Sequence, residues 1–442
     1  MFECFSYLLR KEKEMKQSSM KTGAFLLLTV LCVCDLGGCG KTEKDSLGVT
    51  PTKSIVTTVS ITPAKENKVT PTQEIVITPT QEVVIKPSIS TSEPITFPVE
   101  ITEENFPEPL LRKKALAVDS NKDNKLSEEE AHAVTKLHLK KLIDDGDGLE
   151  EALPQYTIAD FTFDLEGIQY FPELSELTVN LLGGELFVEN AEEEILATTK
   201  NFERLYACTN LKKLSLYEVD ITSLDLSAFL NLKRLELNCM YHLQTLQLGN
   251  HKTLSTLWVS ECHNLKTMDV SELENLKTVD IVWNDGLTEL YFGKANKKVE
   301  TIQLNSLKSL YEVELSDLVN LKSLNLMDVA LKTLDISKNV ELEQVCVERL
   351  QLGTLDLTSN PKVSYLINAG DSFQEIVLPE DNCISMIRWT NSNVTEFPVK
   401  NLNPDTLVGI DIQETAIQEL DVRDYPKLEY LYYNEDVTNI LR

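Results

Sequence analysis

Within twelve residues, DSNKDNKLSEEE at 119–130, oxygen-bearing groups recur at the spacing a metal ion needs. Asp119, Asn121 and Asp123 fall at positions 1, 3 and 5, and Lys125 at position 7 offers a backbone carbonyl. Ser127 at position 9 would reach such an ion through water, and Glu130 at position 12 would bring two more oxygens. A hard divalent cation takes about six to eight oxygen ligands, and this spacing folds them around one point. Leu126 is the apolar residue that anchors such a loop to a core. The competing reading is a polar loop in which Ser127 caps a helix.

The run resembles the calcium loop of the EF-hand family. The resemblance implies a calcium ion held by Asp119, Asn121, Asp123, Lys125, Ser127 and Glu130. Asn124 is a departure, because the family has glycine at that sharp turn. Asn tolerates a left-handed backbone better than most residues, so the turn survives at some cost. Only one such loop is visible, since Asp144–Gly148 lacks the spacing. An unpaired site facing extracellular calcium needs an affinity of only about 0.1–1 mM, which suits a structural ion rather than a sensor.

The elements that would position this loop follow from its flanks. Leu110–Ala117 reads as the entering helix. The exiting helix has room for only a few residues, because Val134-x-x-Leu137-x-Leu139 already begins a different pattern. The hairpin, 105–133, is therefore expected to lie against the first unit of that pattern and cover its open edge.

The pattern is Leu-x-x-Leu-x-Leu, with Ile and Val substituting. It starts at 211, 221, 232, 243, 254, 265, 276 and 287 and recurs to 428, at spacings of ten to thirteen. An eleven-residue period can mean a helical coil. Apolar positions 1, 4 and 6 forbid it, because the last two alternate as in a strand. Asn339, Gly249 and Pro361 mark turns between units. Two units make one coil of about 21–22 residues. One coil cannot bury its leucines alone; stacked coils can, and each buried Leu contributes roughly 1.5–3 kcal/mol.

LKTLDISKN (331–339), LGTLDLTSN (352–360) and LKTVDIVWN (276–284) resemble the leucine-rich-repeat signature Leu-x-x-Leu-x-Leu-x-x-Asn. The resemblance covers 134–442, with an irregular stretch at 180–206. The expected fold is mainly β: a leucine-rich-repeat solenoid with parallel strands on both faces and a short helical calcium-loop cap at its N-terminal end. At about 4.8 Å per coil, ten-odd coils extend about 50 Å.

The two faces differ. One repeats small polar groups and an aspartate: Ser223-Asp225-Ser227, Thr267-Asp269-Ser271, Thr333-Asp335-Ser337 and Thr354-Asp356-Thr358. These read as solvated residues that discourage sheet-to-sheet pairing. The other face is varied and carries Tyr217, Arg234, Trp258, Arg388, Tyr430 and Tyr432. Such side chains anchor binding surfaces, so the varied face is the expected recognition surface. The alternative is scattered exposed aromatics with no partner.

Ahead of the cap, Lys16 and Lys21 precede an apolar run, Ala24–Cys34, too short to span a membrane. Leu36-Gly37-Gly38-Cys39 follows and resembles the lipobox of bacterial lipoproteins, which implies cleavage before Cys39 and its lipidation. Asp35 is a mild departure, and an ordinary secretory signal is the alternative. Translation from Met15 or Met20 gives a more usual signal length. Residues 40–104 are rich in Thr and Pro, with TPTQEIVI repeated as TPTQEVVI. They read as a disordered stalk reaching at most about 190 Å, the alternative being a strand.

The net charge of −28 argues against nucleic acid and fits a basic partner or cations. Five scattered cysteines beyond Cys39 are not a disulfide framework. Cys239 and Cys262 lie on adjacent coils and leave a single disulfide open, while Cys239, His242, Cys262 and His263 leave a zinc site conceivable but unsupported by spacing. No nucleophile, phosphate-loop or paired-histidine motif is present. The resemblance to internalin-like surface proteins of Gram-positive bacteria implies a non-catalytic, lipid-anchored binding protein. It is expected to be monomeric on the extracellular face of the cell membrane, with a protein or peptide ligand. A cell-wall or glycan ligand is the alternative, followed by an enzyme with a site in 140–206, or a spacer without a ligand.

Overall fold

The computed structural model describes residues 95–140, 162–181, 198–350, 352–370, 373, 375–435 and 437–442. The signal, the lipobox, nearly all of the expected stalk and most of the irregular 180–206 stretch lie outside the described residues.

Period-two alternation becomes one sheet of 13 parallel strands. It runs in chain order from Lys136–Lys140 to Tyr430–Tyr432, one strand per coil. Each strand pairs in register with the next, as Thr256–Ser260 does with Arg234–Asn238 on one side and Thr278–Val282 on the other. In-register stacking places equivalent residues beside each other. Leu235, Leu257, Val279, Ile302 and Leu324 form one inward file and are 0–1% exposed. The core is a single cluster that extends from Val99 to Val437.

The second face also carries parallel strands, but they are three residues long and occur as separate pairs. Ser223–Asp225 pairs with Thr245–Gln247, Thr267–Asp269 with Glu289–Tyr291, and Thr354–Asp356 with Glu375–Val377. The aspartates that end these segments explain the interruption. The carboxylates of Asp225, Asp269, Asp335 and Asp356 each accept from the backbone N–H two residues on, at 2.8–2.9 Å. This folds the chain into a turn and stops the strand. The repeated aspartate is thus a corner former, which its expected role as a solvated residue did not include.

The corner at the other end of each long strand is made differently. Glu218, Cys239, Glu261, Trp283, Ser306, Asp328 and Arg349 have φ between 52° and 58°. A left-handed backbone costs such residues roughly 1–2 kcal/mol. Each pushes its N–H onto a carbonyl of the next coil, as Cys239 does to Ser260 (3.0 Å) and Trp283 to Asn305 (2.9 Å), so the ladder continues through the bend.

The repeat-signature asparagines tie coils together from inside. Asn339 is 0% exposed and donates from Nδ2 to the carbonyls of Leu315 (2.8 Å) and Leu318 (3.0 Å). Asn360 does the same to Ile336 (3.0 Å) and to the carbonyl of Asn339 (2.9 Å). A buried carbonyl without a partner costs about 1–3 kcal/mol, and these amides remove that cost.

The cap begins earlier than the expected boundary at 105. Val99–Glu100, assigned to the stalk from its composition, forms a strand antiparallel to Lys125–Leu126. Val99 and Ile101 are both 7% exposed, and that burial holds the segment on the cap. The helix Pro109–Val118 sits against the first long strand, and Leu111, Ala115, Leu126 and Ala131 join the common core. Where the cap meets the first coil, Gly167 has φ 103°, and a Cβ there would lie 2.4 Å from the ring of Phe106. No helix among the described residues is long and apolar enough to cross a membrane.

Candidate functional site

The outward side of the long sheet changes character along its length. At its N-terminal end it is a charged network around Glu236, whose side chain is 6% exposed. Oε2 accepts from Ser215 Oγ (2.5 Å) and Tyr217 OH (3.2 Å), with Lys213 Nζ at 3.3 Å, and Arg234 Nε donates to Oε1. Burial pushes the Glu236 carboxyl up, but the Ser215 and Arg234 bonds and the Lys213 charge outweigh it and hold the group below the ordinary range. Tyr217 is pushed up by burial and by the Glu236 charge. Its ring meets Trp258 at 6.2 Å and 60°.

The middle is largely polar. Thr256, Thr278, Thr301 and Ser323 form one file. Trp258, Asp280, Gln303 and Asn325 form the next. Burial raises the Asp280 carboxyl to about 6.

The C-terminal end sets aromatic and apolar side chains around the Arg388–Asp411 pair. Tyr430 is 48% and Tyr432 49% exposed, and the Met386 thioether lies over Gly409, where a Cβ would meet it at 2.4 Å. Cys346 and Ile367 point outward from their strands yet are 4% and 0% exposed. Neighbouring outward side chains cover them, so alternation alone overstated the exposure of this file.

The six residues expected on the recognition surface therefore share one sheet face but not one role. Trp258 is half-buried and Tyr430 and Tyr432 are open. Tyr217 and Arg234 are bound into the Glu236 network. Arg388 is paired with Asp411 at 3.2 Å with its side chain only 12% exposed, so it is no free anchor. Trp283 and Tyr311, 44% and 51% exposed, were not anticipated. Trp283 occupies a left-handed corner, and the Lys332 ammonium sits 5.2 Å from the Tyr311 ring centroid.

In the twelve-residue loop, Asn124 has φ 59°, as its place at the sharp turn requires. The Asp119 carboxylate is 6% exposed and accepts from the N–H groups of Asp123 (3.3 Å) and Asn124 (2.9 Å). Asn121 and Asp123 hold the next N–H groups, those of Asp123 (2.9 Å) and Lys125 (2.8 Å). Ser127 caps the six-residue helix Glu128–Ala133 in a capping box with Glu130. Ser120 and Ser127 both donate to Glu130, which holds its carboxyl down at about 2. Backbone and donor set fit an oxygen-ligated cation. Glu130 would exchange serine bonds for the ion, because no three His, Cys, Asp or Glu side chains converge among the described residues.

Cys239 and Cys262 are free thiols. Register explains it: Cys239 shares its file with Glu261, and Cys262 follows Met240. Their zinc-site companions are engaged elsewhere, His242 with Asp220 at 2.7 Å and His263 stacked on Tyr241 at 6.3 Å.

Among solved structures, the functional domain of InlJ from Listeria monocytogenes, which includes a cysteine ladder, superposes with a TM-score of 0.51 at 20% identity, covering 78% of this chain and 72% of that one. The fold is a leucine-rich-repeat solenoid. An internalin, inlF, from the same species matches the solenoid at 16% identity over 79% of this chain and 98% of that one, with a TM-score of 0.43. A leucine-rich-repeat protein of Leptospira interrogans matches at 18% over 63% and 79%, TM-score 0.31. No protein-family model matches the sequence, and no curated protein matches it.

Proposed function

We propose that the chain is a non-catalytic cell-surface binding protein that takes a protein or peptide ligand on the outward face of its long sheet. The contrast between the two faces carries this reading. On the short-strand face the repeated carboxylates are engaged in the chain's own turns. On the long sheet the outward files hold an indole, the open Tyr430 and Tyr432 and a run of polar side chains, where among the described residues the short strands hold the single open Tyr291, and aromatic side chains are common anchors of protein interfaces. The sequence motif ending at Cys39 supports lipid anchoring at the outer face of a cytoplasmic membrane.

Crosslinking pull-downs with the full chain test it. A polypeptide captured from protein extracts is expected to be lost when Trp258→Ala and Tyr432→Ala are combined, with an unchanged far-UV spectrum. Unchanged capture would move the site to the short-strand face. Capture on glycan arrays but not from protein extracts would replace the ligand class by sugars. Cys39→Ala in the same cells is expected to release the chain from the membrane fraction.

The loop at 119–130 is read with it as a structural calcium site. Calcium would be held by Asp119, Asn121, Asp123, Glu130, the Lys125 carbonyl and a water on Ser127, and would stiffen the cap over the first coil. With an affinity of about 0.1–1 mM, 10 mM calcium would add about 1.4–2.7 kcal/mol. A rise in Tm with calcium, absent in Asp119→Asn, is the expected outcome. Equal Tm with calcium and with chelator would leave the loop a helix cap only.

A further inference from the structure

Three acids stand in the middle outward file of the long sheet, and two are neutralised from within the chain. Glu236 has Arg234 and Lys213. Asp411 has Arg388 at 3.2 Å. Asp280 has neither an ion pair nor a hydrogen bond among the described residues, and its Oδ1 is covered without a donor.

Its surroundings are built for something else. Trp258 flanks it on one strand and Gln303 on the other, each directly opposite in register and so about 4.8 Å away. The remaining outward residues of those two strands are Thr256, Ser260, Thr301 and Asn305, and those of its own strand are Thr278 and Val282. None is titratable, and burial alone sets the proton affinity of Asp280.

A covered carboxylate with no donor is costly unless a cation reaches it. A guanidinium satisfies every group present. It is planar, stacks on an indole face, and can donate one N–H to the open Oδ2 of the carboxylate while another reaches an amide carbonyl. An ammonium would supply charge without the plane that stacks on an indole. The chain's net charge of −28 favours encounter with basic partners in general.

We infer that Trp258, Asp280 and Gln303 form a subsite for an arginine side chain presented by the partner. It rests on the long sheet's being the binding face and names what part of that face reads. Ion pairing requires ionised Asp280, so affinity should rise from pH 5 to pH 7.5.

The test uses the full chain and three peptides, Ac-Gly-Gly-X-Gly-Gly-NH2 with X arginine, lysine or the neutral isostere citrulline. Indole fluorescence is read in a Trp283→Phe background, because Trp389 is 0% exposed and Trp258 then reports. The arginine peptide is expected to bind in the millimolar range, with citrulline and the Asp280→Asn variant each weaker by about tenfold or more, the loss of one charged hydrogen-bonded contact. Asp280→Asn removes an unpaired buried charge, so its folding is not at risk, and Trp258→Ala with NMR detection is the second variant. Equal binding of arginine and citrulline peptides, or an unchanged affinity in Asp280→Asn, overturns the subsite. So does binding of chitooligosaccharides that depends on Trp258 and ignores Asp280. Loss of partner capture in the Trp258/Tyr432 double variant with full capture by Asp280→Asn would remove the arginine subsite and leave the binding face standing.

Discussion

Leu304→Ala is expected to destabilise the solenoid by roughly 2–5 kcal/mol, and Gln303→Ala, one residue away, by less than about 0.5 kcal/mol. Leu304 is 0% exposed and stacks between Ile281 and Leu326. Strand pairing on both sides pins its backbone, so the cavity left by the three lost carbons cannot close. Gln303 points out of the same strand and leaves no cavity. Urea denaturation reads the difference, and the shape of the curve adds to it. Each coil touches only its neighbours, so stability is nearly a sum of coil and interface contributions. A weak coil in the middle of the stack should split one transition into two, where the same loss near an end would only lower the midpoint. Equal midpoints for the two variants would mean that inside and outside have been assigned the wrong way round.

That alternation is also the reason so much of the fold was legible. Leu-x-x-Leu-x-Leu fixes a strand, its buried face and, by repetition, the stack. Trp258, Tyr430 and Tyr432 fall on one outward face by that alternation alone. The corners were less legible, for a physical reason. Glu218, Cys239, Trp283 and Arg349 adopt left-handed backbone that glycine or asparagine would have signalled. The cost is met by the N–H bond to the next coil, a contact about twenty residues away in sequence. Val99–Glu100 was hidden in the same way: a Pro- and Thr-rich composition reads as stalk, and only pairing with Lys125–Leu126 makes it a strand.

Lateral neighbours were the other blind spot. Sequence shows that Arg388 and Asp411 point outward, but not that 23 residues of separation place them side by side in register. Hence Arg388 looked like an anchor when it is one half of an ion pair, and Asp280, an ordinary letter in a varied strand, drew no notice although it is the acid of its file that lacks a cation. The varying spacing is taken up at the corners and equivalent positions stay in register, so the chemistry of the face depends on which side chains meet across adjacent coils.

Thermal stability is expected to peak near pH 5 and to fall on both sides, because the solenoid holds two opposed sets of carboxyls. In the first set, the folded state lowers the proton affinity. Asp335 and Asp356 are held down by the backbone and hydroxyl of Ser337 and Thr358, Glu314 by Ser316, and Asp421 at about 2 by Arg423. The unfolded chain binds more protons there, so their contribution is complete above the ordinary carboxyl range and is lost as pH falls from about 4.5 toward 2. In the second set the sign reverses. Burial raises Asp280 to about 6 and also raises Glu348. The folded state then binds more protons, so stability falls as pH climbs through about 4 to 6 and the full cost stands at pH 7. For Asp280 a shift of this size is worth about 2–3 kcal/mol at 1.36 kcal/mol per pH unit. Asp280→Asn should therefore raise Tm at pH 7, flatten the alkaline side of the peak and leave the acid side untouched. A Tm that climbs steadily from pH 3 to pH 8 in the parent chain, or an Asp280→Asn curve that overlays it, would show that the Asp280 carboxylate is solvated after all. The free site for a cationic side chain would then lose its physical basis along with the alkaline limb.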